Sequence, residues 1–189
     1  WIYIERKQTQ SKIRNLGRMK IFKNDILVLE IDDYGILKKK DLDNYCKPNG
    51  ILGAHPDYEN PGIEGSTGSL GHGLGICVGM AYAEKLKKSE SKIYSVLSDG
   101  ECQEGTTWES LLIASTHKLD NLVIIVDYNK IQALSKLRDA LPLNNLKKKF
   151  ESFNCICHEV KNGHSFTDLI KTFKKIKLKK KPTVIIVNT

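Results

Sequence analysis

Residues 121–127 read Asn-Leu-Val-Ile-Ile-Val-Asp, five consecutive aliphatic side chains between polar ends. A strand with one face in water alternates apolar and polar residues. An unbroken run predicts a strand covered on both faces, the situation of a parallel sheet between helical layers. A second such run occupies residues 183–187. The stretches around these two follow the same logic. Leu74, Cys77, Val78 and Ala81 recur at i, i+3, i+4 and i+7, the buried stripe of a helix running to about Lys88. Residues 92–98 (KIYSVLS) are short, β-branched and aromatic, and predict a strand. Trp108, Leu111, Leu112 and Ser115 predict a second helix that ends before Asp120. Leu143, Leu146, Phe150 and Phe153 mark a third, and Phe166, Leu169, Ile170 and Phe173 a fourth that Pro182 stops. Residues 155–160 form another predicted strand. Alternating helices and strands with short connections predict an α/β fold, a mainly parallel sheet flanked by helices on both faces. The 189 residues suffice for one such domain, taken as 1–189. Residues 1–49 are the least legible, with helices expected near 5–16 and 38–44.

Composition narrows the function classes. An apolar share of 40% with 28% charged residues is that of an ordinary folded domain, which argues against general disorder. The longest aliphatic runs fall far short of the roughly 20 residues that cross a bilayer, so no membrane association is expected. No basic-then-apolar leader opens the sequence, and Trp1 stands where an initiator Met would, so the natural chain is expected to begin upstream. The net charge of +8 is local: residues 147–181 hold eleven Lys against Glu151, Glu159 and Asp168, which leaves the rest neutral. Such a flank lacks the interleaved aromatics of a nucleic-acid binder and reads as a solvated lysine face that could also attract phosphorylated substrates. The five Cys are odd in number and scattered. Cys155 and Cys157 alternate within a predicted strand without zinc-ligand spacing, and the set reads as reduced thiols of a cytoplasmic protein.

Ligands of open parallel sheets sit beyond the C-terminal strand ends. Two such ends carry polar residues here, Ser98-Asp99-Gly100-Glu101 and Asp127-Tyr128-Asn129-Lys130-Ile131. Asp99 and Asn129 are thirty positions apart, about the length of one strand–helix–strand crossover, which brings a carboxylate and an amide to neighbouring tips. With a backbone carbonyl, these oxygen donors suit Mg²⁺ or Ca²⁺; turn formation alone explains the same residues about equally well. Residues 65–73 (GSTGSLGHG) open a helix, where small residues let backbone N–H groups approach an anion and the helix dipole favours it. No Gly-Lys-Ser/Thr ends the segment, and a dinucleotide fingerprint is not matched, so the alternative is closely packed backbone. His55, in Gly-Ala-His-Pro-Asp, is a lone loop histidine, more often structural than catalytic.

Taken in order, Gly-Ala-His-Pro-Asp at 53–57, the glycine segment 65–73, Ser-Asp-Gly-Glu-Cys-Gln-Glu-Gly at 98–105 and Asp-Tyr-Asn-Lys-Ile at 127–131 resemble the N-terminal, diphosphate-binding domain of transketolases. Asn162-Gly163-His164 and the Lys-Pro-Thr-Val-Ile-Ile-Val of 181–187 resemble the family's following segments, so the likeness covers about residues 50–189. It implies thiamine diphosphate as cofactor, with Asp99, Asn129 and the carbonyl of Ile131 holding Mg²⁺ or Ca²⁺ against the diphosphate. It implies cofactor contacts from Gly68, Ser69, Leu70 and Gly100. It sets His55 near the donor sugar, and Glu104 at a subunit interface between the cofactors of a dimer, although a carboxylate in a first helical turn needs no such role. Two departures stand out. His72 replaces a Gln common in the family, and Ala133 replaces a larger aliphatic residue against the cofactor.

The resemblance also implies what must come from elsewhere. The family's pyrimidine-binding domain, with the Glu that protonates the aminopyrimidine, has no counterpart in the sequence. The expected protein is therefore the N-terminal subunit of a split enzyme, with a separate C-terminal transketolase-like chain as partner, in an α2β2 assembly or around a homodimer core. The expected reaction moves a two-carbon ketol unit between sugars, phosphorylated or otherwise activated; the alternative is a non-catalytic scaffold or regulatory subunit that keeps the fold. Two histidine-bearing family stretches are missing before residue 50, where Leu16 runs into Gly17 and Leu27 into Val28. This implies loops omitted from the sequence as written, or else a true deletion.

Overall fold

The structure is a computed structural model that describes residues 2–5, 37–55, 57–61, 65–133 and 135–189. The chain divides into two units, residues 1–7 with 67–189, and residues 8–66.

The larger unit is built on a five-stranded sheet, comprising β1 (Ile2–Glu5), β2 (Lys92–Ser98), β3 (Leu122–Tyr128), β4 (Ile156–Val160) and β5 (Thr183–Asn188), in the order β1-β2-β3-β5-β4. β2, β3, β5 and β4 run parallel, and β1 is an antiparallel edge on β2. The mainly parallel expectation therefore holds, with β1 as the exception. That strand also takes Glu5 out of the helix expected over 5–16; the rest of that expectation lies outside the described residues. The residues for which omitted loops are implied, around Leu16–Gly17 and Leu27–Val28, also lie outside them.

The apolar runs do what their continuity demands. Leu122, Val123, Ile124 and Val126 of β3 are fully buried, as are Val184 and Ile185 of β5. Their side chains point alternately into two cores. One holds Ile93, Leu97, Leu122, Ile124, Val126, Val184 and Ile186 against Leu74, Cys77, Val78 and Ala81 of α2 (His72–Leu86), Leu111 and Ala114 of α3 (Gly105–Thr116), and Leu146 and Phe150 of α5 (Leu146–Ser152). The other holds Val123, Val160, Ile185 and Val187 under Leu169 and Phe173 of α6 (Phe166–Phe173). Each fully buried aliphatic side chain contributes about 1.5–3 kcal/mol, so the sheet centre is the rigid part of the unit. Helices thus cover both faces.

The helix boundaries show where local chemistry overrides apolar spacing. α5 is shorter than Leu143–Phe153 predicts, because Asn145 is left-handed (φ 38°) and its side chain accepts the Lys148 N–H at 3.2 Å, starting the helix at Leu146. Phe153 is the residue that caps its end, yet it still packs on Trp108 with ring centroids 5.1 Å apart. α6 ends at Phe173, well before Pro182, so proline does not stop it. Ile176 continues the apolar stripe onto the same core as Leu169 and Phe173, so apolar spacing does not set this end either. A short helix, α4 (Leu137–Ala140), follows β3.

In the smaller unit the described residues form α1 (Lys39–Asp43) and irregular chain. α1 matches the helix expected over 38–44. Asp41 accepts the Lys38 N–H at 2.9 Å, and Asn44 donates to the Lys40 carbonyl at 2.8 Å. Farther on, Ser66 accepts the Tyr58 N–H at 3.0 Å and donates to Asp57 at 3.3 Å.

Candidate functional site

Parallel registration sets Ser98 opposite Asp127 and Tyr128 opposite Asn188, so β2, β3 and β5 end at one edge of the sheet. Asp99 directly follows β2 and Asn129 directly follows β3. Asp99 Oδ2 accepts the Lys130 N–H at 2.7 Å, so the carboxylate lies against the peptide that follows Asn129. The thirty-residue spacing thus brings the two tips together as expected.

Asp99 lies at a strand end but is only 1% exposed. Burial pushes its acid above the ordinary carboxylate value, against the hydrogen bonds from the Lys130 and Gly100 N–H groups, and the nearby charge of Asp127 adds to the rise. Among the described residues no cation is ion-paired to it. A carboxylate held in this way is a strong ligand for a cation that arrives. Asn129 is clamped on both sides: its Nδ2 donates to Asp127 at 3.2 Å and its Oδ1 accepts the Ile131 N–H at 2.8 Å. Asp127 is itself held by the Thr189 hydroxyl. Ile131 bridges to Lys136, and its side chain is exposed. Carboxylate, amide oxygen and carbonyl are all hard donors, the set that Mg²⁺ or Ca²⁺ prefers.

The glycine segment is joined to the same tip. Gly71 adopts a left-handed φ of 78° and caps α2. A Cβ there would fall 2.7 Å from Glu104 Cβ and against the Thr106 hydroxyl, so only glycine fits. Its N–H donates to Glu101 Oε1 at 3.3 Å, while Glu101 Oε2 accepts the Ser98 N–H at 2.9 Å. One carboxylate therefore ties the entry of α2 to the end of β2. Gly100, Glu101, Cys102 and Gln103 form a 3-10 turn, secured by Thr107 donating to the Glu101 carbonyl at 2.6 Å and Trp108 donating to the Cys102 carbonyl at 3.1 Å. Gly68 has a φ of 139°, and Gly68, Ser69 and Leu70 are exposed, with the Ser69 carbonyl accepting the His72 N–H at 3.2 Å.

Glu104 is exposed at the N-cap of α3, and its side chain makes no capping bond there. His55 is exposed in the smaller unit. Asp99, Gly100, Asn129 and Ile131 are gathered at adjoining tips, with Gly68, Ser69, Leu70 and Glu104 in the same unit. Sequence reasoning missed Glu101, Asp127 and Gln132. Glu101 and Asp127 lie within the strand-tip motifs, but their roles depend on through-space partners. Gln132 Nε2 is sealed from solvent without a hydrogen-bond partner, and so is the Thr106 hydroxyl. A separate cleft of about 340 Å³, lined by Cys102, Gln103, Trp108, Pro142 and Phe153 among others, includes none of the predicted site residues.

A parallel α/β domain with oxygen donors at adjoining strand tips and a glycine-led helix beside them belongs to the class whose ligands sit beyond the C-terminal strand ends. The family model "Transketolase, thiamine diphosphate binding domain" matches residues 26–189, and the chain belongs to that family. The match begins upstream of the Gly-Ala-His-Pro-Asp motif. The chain is 40% identical over 156 residues, 82% of its length and 56% of the relative's, to an apulose-4-phosphate transketolase subunit from Actinobacillus succinogenes. It is 33% identical over 150 residues, 78% of this chain and 54% of the relative, to the 6-deoxy-6-sulfo-D-fructose transketolase subunit SqwG of Clostridium sp.. The crystal structure of transketolase from Campylobacter jejuni superposes with a TM-score of 0.75 at 32% identity, over 79% of this chain and 24% of that one. The chain spans about half the length of these two curated relatives.

Proposed function

We propose that this chain is the diphosphate-binding subunit of a split, transketolase-like transferase. The reading is supported by family membership and by relatives named as subunits of transketolases that cover most of this chain. The observation that carries it is the hydrogen bond from the Lys130 N–H to Asp99, which unites the two tips required to share a metal ion.

In this reading Asp99, Asn129 and the Ile131 carbonyl hold Mg²⁺ or Ca²⁺, and Gly68, Ser69, Leu70 and Gly100 line the diphosphate. Thiamine diphosphate, when bound, would supply a deprotonated, nucleophilic carbon, the chemistry needed to cleave a ketose between C2 and C3 and pass the two-carbon unit to an aldose. The protein's contribution is positional. Asp99 neutralises the ion from a water-poor setting, where electrostatic attraction is strong. Asp127 orients the Asn129 amide, and Glu101 fixes the glycine segment to the β2 tip. His55 faces the donor sugar, and Glu104 contributes to a subunit interface beside the cofactors. A separate chain supplies the pyrimidine-binding half, giving an α2β2 assembly or a homodimer core with partners attached. The substrates are sugars, phosphorylated or otherwise activated. A cytoplasmic setting is compatible with five free thiols, and no described helix is long and apolar enough to cross a membrane. The scaffold alternative gains no support from relatives named as transketolase subunits.

The test is ketol transfer by the purified chain with and without the chain that supplies the missing half. Transfer is expected only from the pair; turnover by this chain alone overturns the split reading.

A further inference from the structure

Gln132 follows Ile131 where the chain leaves β3. Its backbone is fixed by its own N–H donating to the Ser135 carbonyl at 2.9 Å and by the Leu137 N–H donating to the Lys130 carbonyl at 2.9 Å. The Ile131–Lys136 bridge closes the same loop. The side chain turns toward the β2 tip, and Nε2 lies 3.7 Å from where a Cβ on Gly100 would stand. That nitrogen is cut off from solvent and donates to nothing.

A buried amide donor without an acceptor is costly, and folded proteins keep few of them. The group that answers it must bring an acceptor oxygen beside Gly100. A cation cannot, because an –NH₂ group offers no lone pair to coordinate it. Its neighbour in space, Gly100, is one that the proposed function assigns to the diphosphate. Resting on that reading, we infer that Gln132 is a diphosphate-binding residue: its amide N–H donates to a phosphate oxygen of the cofactor. Gln132 thereby acts as a polar clamp on the anion, and its donor is left without a partner until the anion arrives. The substituent that matters is the N–H itself, so a side chain of similar size without it loses the contact while filling the same space.

The experiment compares the full-length protein, co-expressed with the chain carrying the pyrimidine-binding half, as wild type, Gln132→Met and Gln132→Glu. Calorimetry measures binding of thiamine diphosphate and of inorganic pyrophosphate, each with Mg²⁺, and thermal unfolding is followed without ligand. Gln132→Met is expected to weaken both ligands by about tenfold, the worth of a hydrogen bond to a charged acceptor. Gln132→Glu is expected to weaken them further by repelling the anion. The ligand-free unfolding temperature of Gln132→Met is expected to stay level or rise, because an unanswered buried donor has been removed. Affinities within twofold of wild type overturn the inference, and so does a ligand-free protein destabilised by several degrees, which marks a structural amide. Absence of binding by the wild type overturns the diphosphate-binding reading itself.

Discussion

The two ends of the parallel sheet handle polar groups in opposite ways. At the N-terminal end, Lys85 pairs with Asp120 at 3.1 Å and also donates to the Lys118 carbonyl, while Asp120 accepts the Lys180 N–H at 3.1 Å. Asn121 Nδ2 donates to the Ala81 carbonyl at 2.9 Å, although its Oδ1 has no partner. Charge there is matched by charge. At the C-terminal end, Asp99 is buried with backbone donors alone, and Gln132 and Thr106 keep unanswered polar atoms. A domain selected for stability alone would close both ends. An unanswered amide atom thus occurs at each end, and the difference lies in charge: the carboxylate of Asp120 is paired with Lys85, whereas that of Asp99 is buried with no cation paired to it among the described residues, which suits an end that awaits a ligand.

The sharpest way to break the comparison is at Asp99. Asp99→Asn keeps an acceptor for the Lys130 N–H but removes the charge, and is expected to reduce Mg²⁺-dependent binding of thiamine diphosphate by on the order of a hundredfold or more, given that outer-shell changes alone cost roughly 10- to 100-fold. Titration calorimetry measures it, and unchanged affinity removes Asp99 from the metal set. Asp99→Ala is the poorer probe. Removing a carboxylate this buried strands the Lys130 and Gly100 N–H donors, so a loss of fold would be confounded with a loss of metal.

Gly71→Ala comes next. A left-handed φ and the crowding of Glu104 and Thr106 predict a loss of roughly 2 kcal/mol or more in denaturant unfolding. A loss well under about 1 kcal/mol means the cradle is looser than its geometry implies. At the opposite end, Lys85→Met is expected to cost less than about 1 kcal/mol, because the pair is partly exposed and screened, and to leave cofactor affinity unchanged. A change in affinity there ends the division of labour between the two ends.

The smallest effect is a pH dependence. Burial, with Lys175, Lys147 and Lys179 assisting, holds the His158 imidazole below its ordinary value. The unfolded chain then binds more protons than the native one between the two values, so stability present above pH about 6.5 is lost as the pH falls toward the folded value. His158→Gln is expected to flatten that part of the stability-against-pH curve in thermal unfolding. A slope identical to wild type shows that His158 does not contribute it.

Much of this architecture was legible because burial writes itself into the sequence. The runs at 121–127 and 183–187 could only be doubly covered strands, and the stripe from Leu74 to Ala81 could only be one helix face. Asp99 and Asn129 were legible through crossover length. Other features depended on partners distant in the chain. Glu101 is an ordinary acid until Gly71 folds onto it, and Asp127 ends an apolar run with no sign that it will orient Asn129. Gln132 shows its lack of a partner only in three dimensions. The early stop of α6 was missed because the apolar spacing of Leu169 and Phe173 runs on to Ile176, and proline, the conspicuous breaker, stands well beyond the last helical residue.

Glu101 has a consequence for redesign. Because one side chain fastens both the head of α2 and the terminus of β2, neither can be resized on its own. A protein engineer seeking to lengthen the anion seat for a larger phosphate tail must replace that double latch first, or the new loop will be pulled back to its present span.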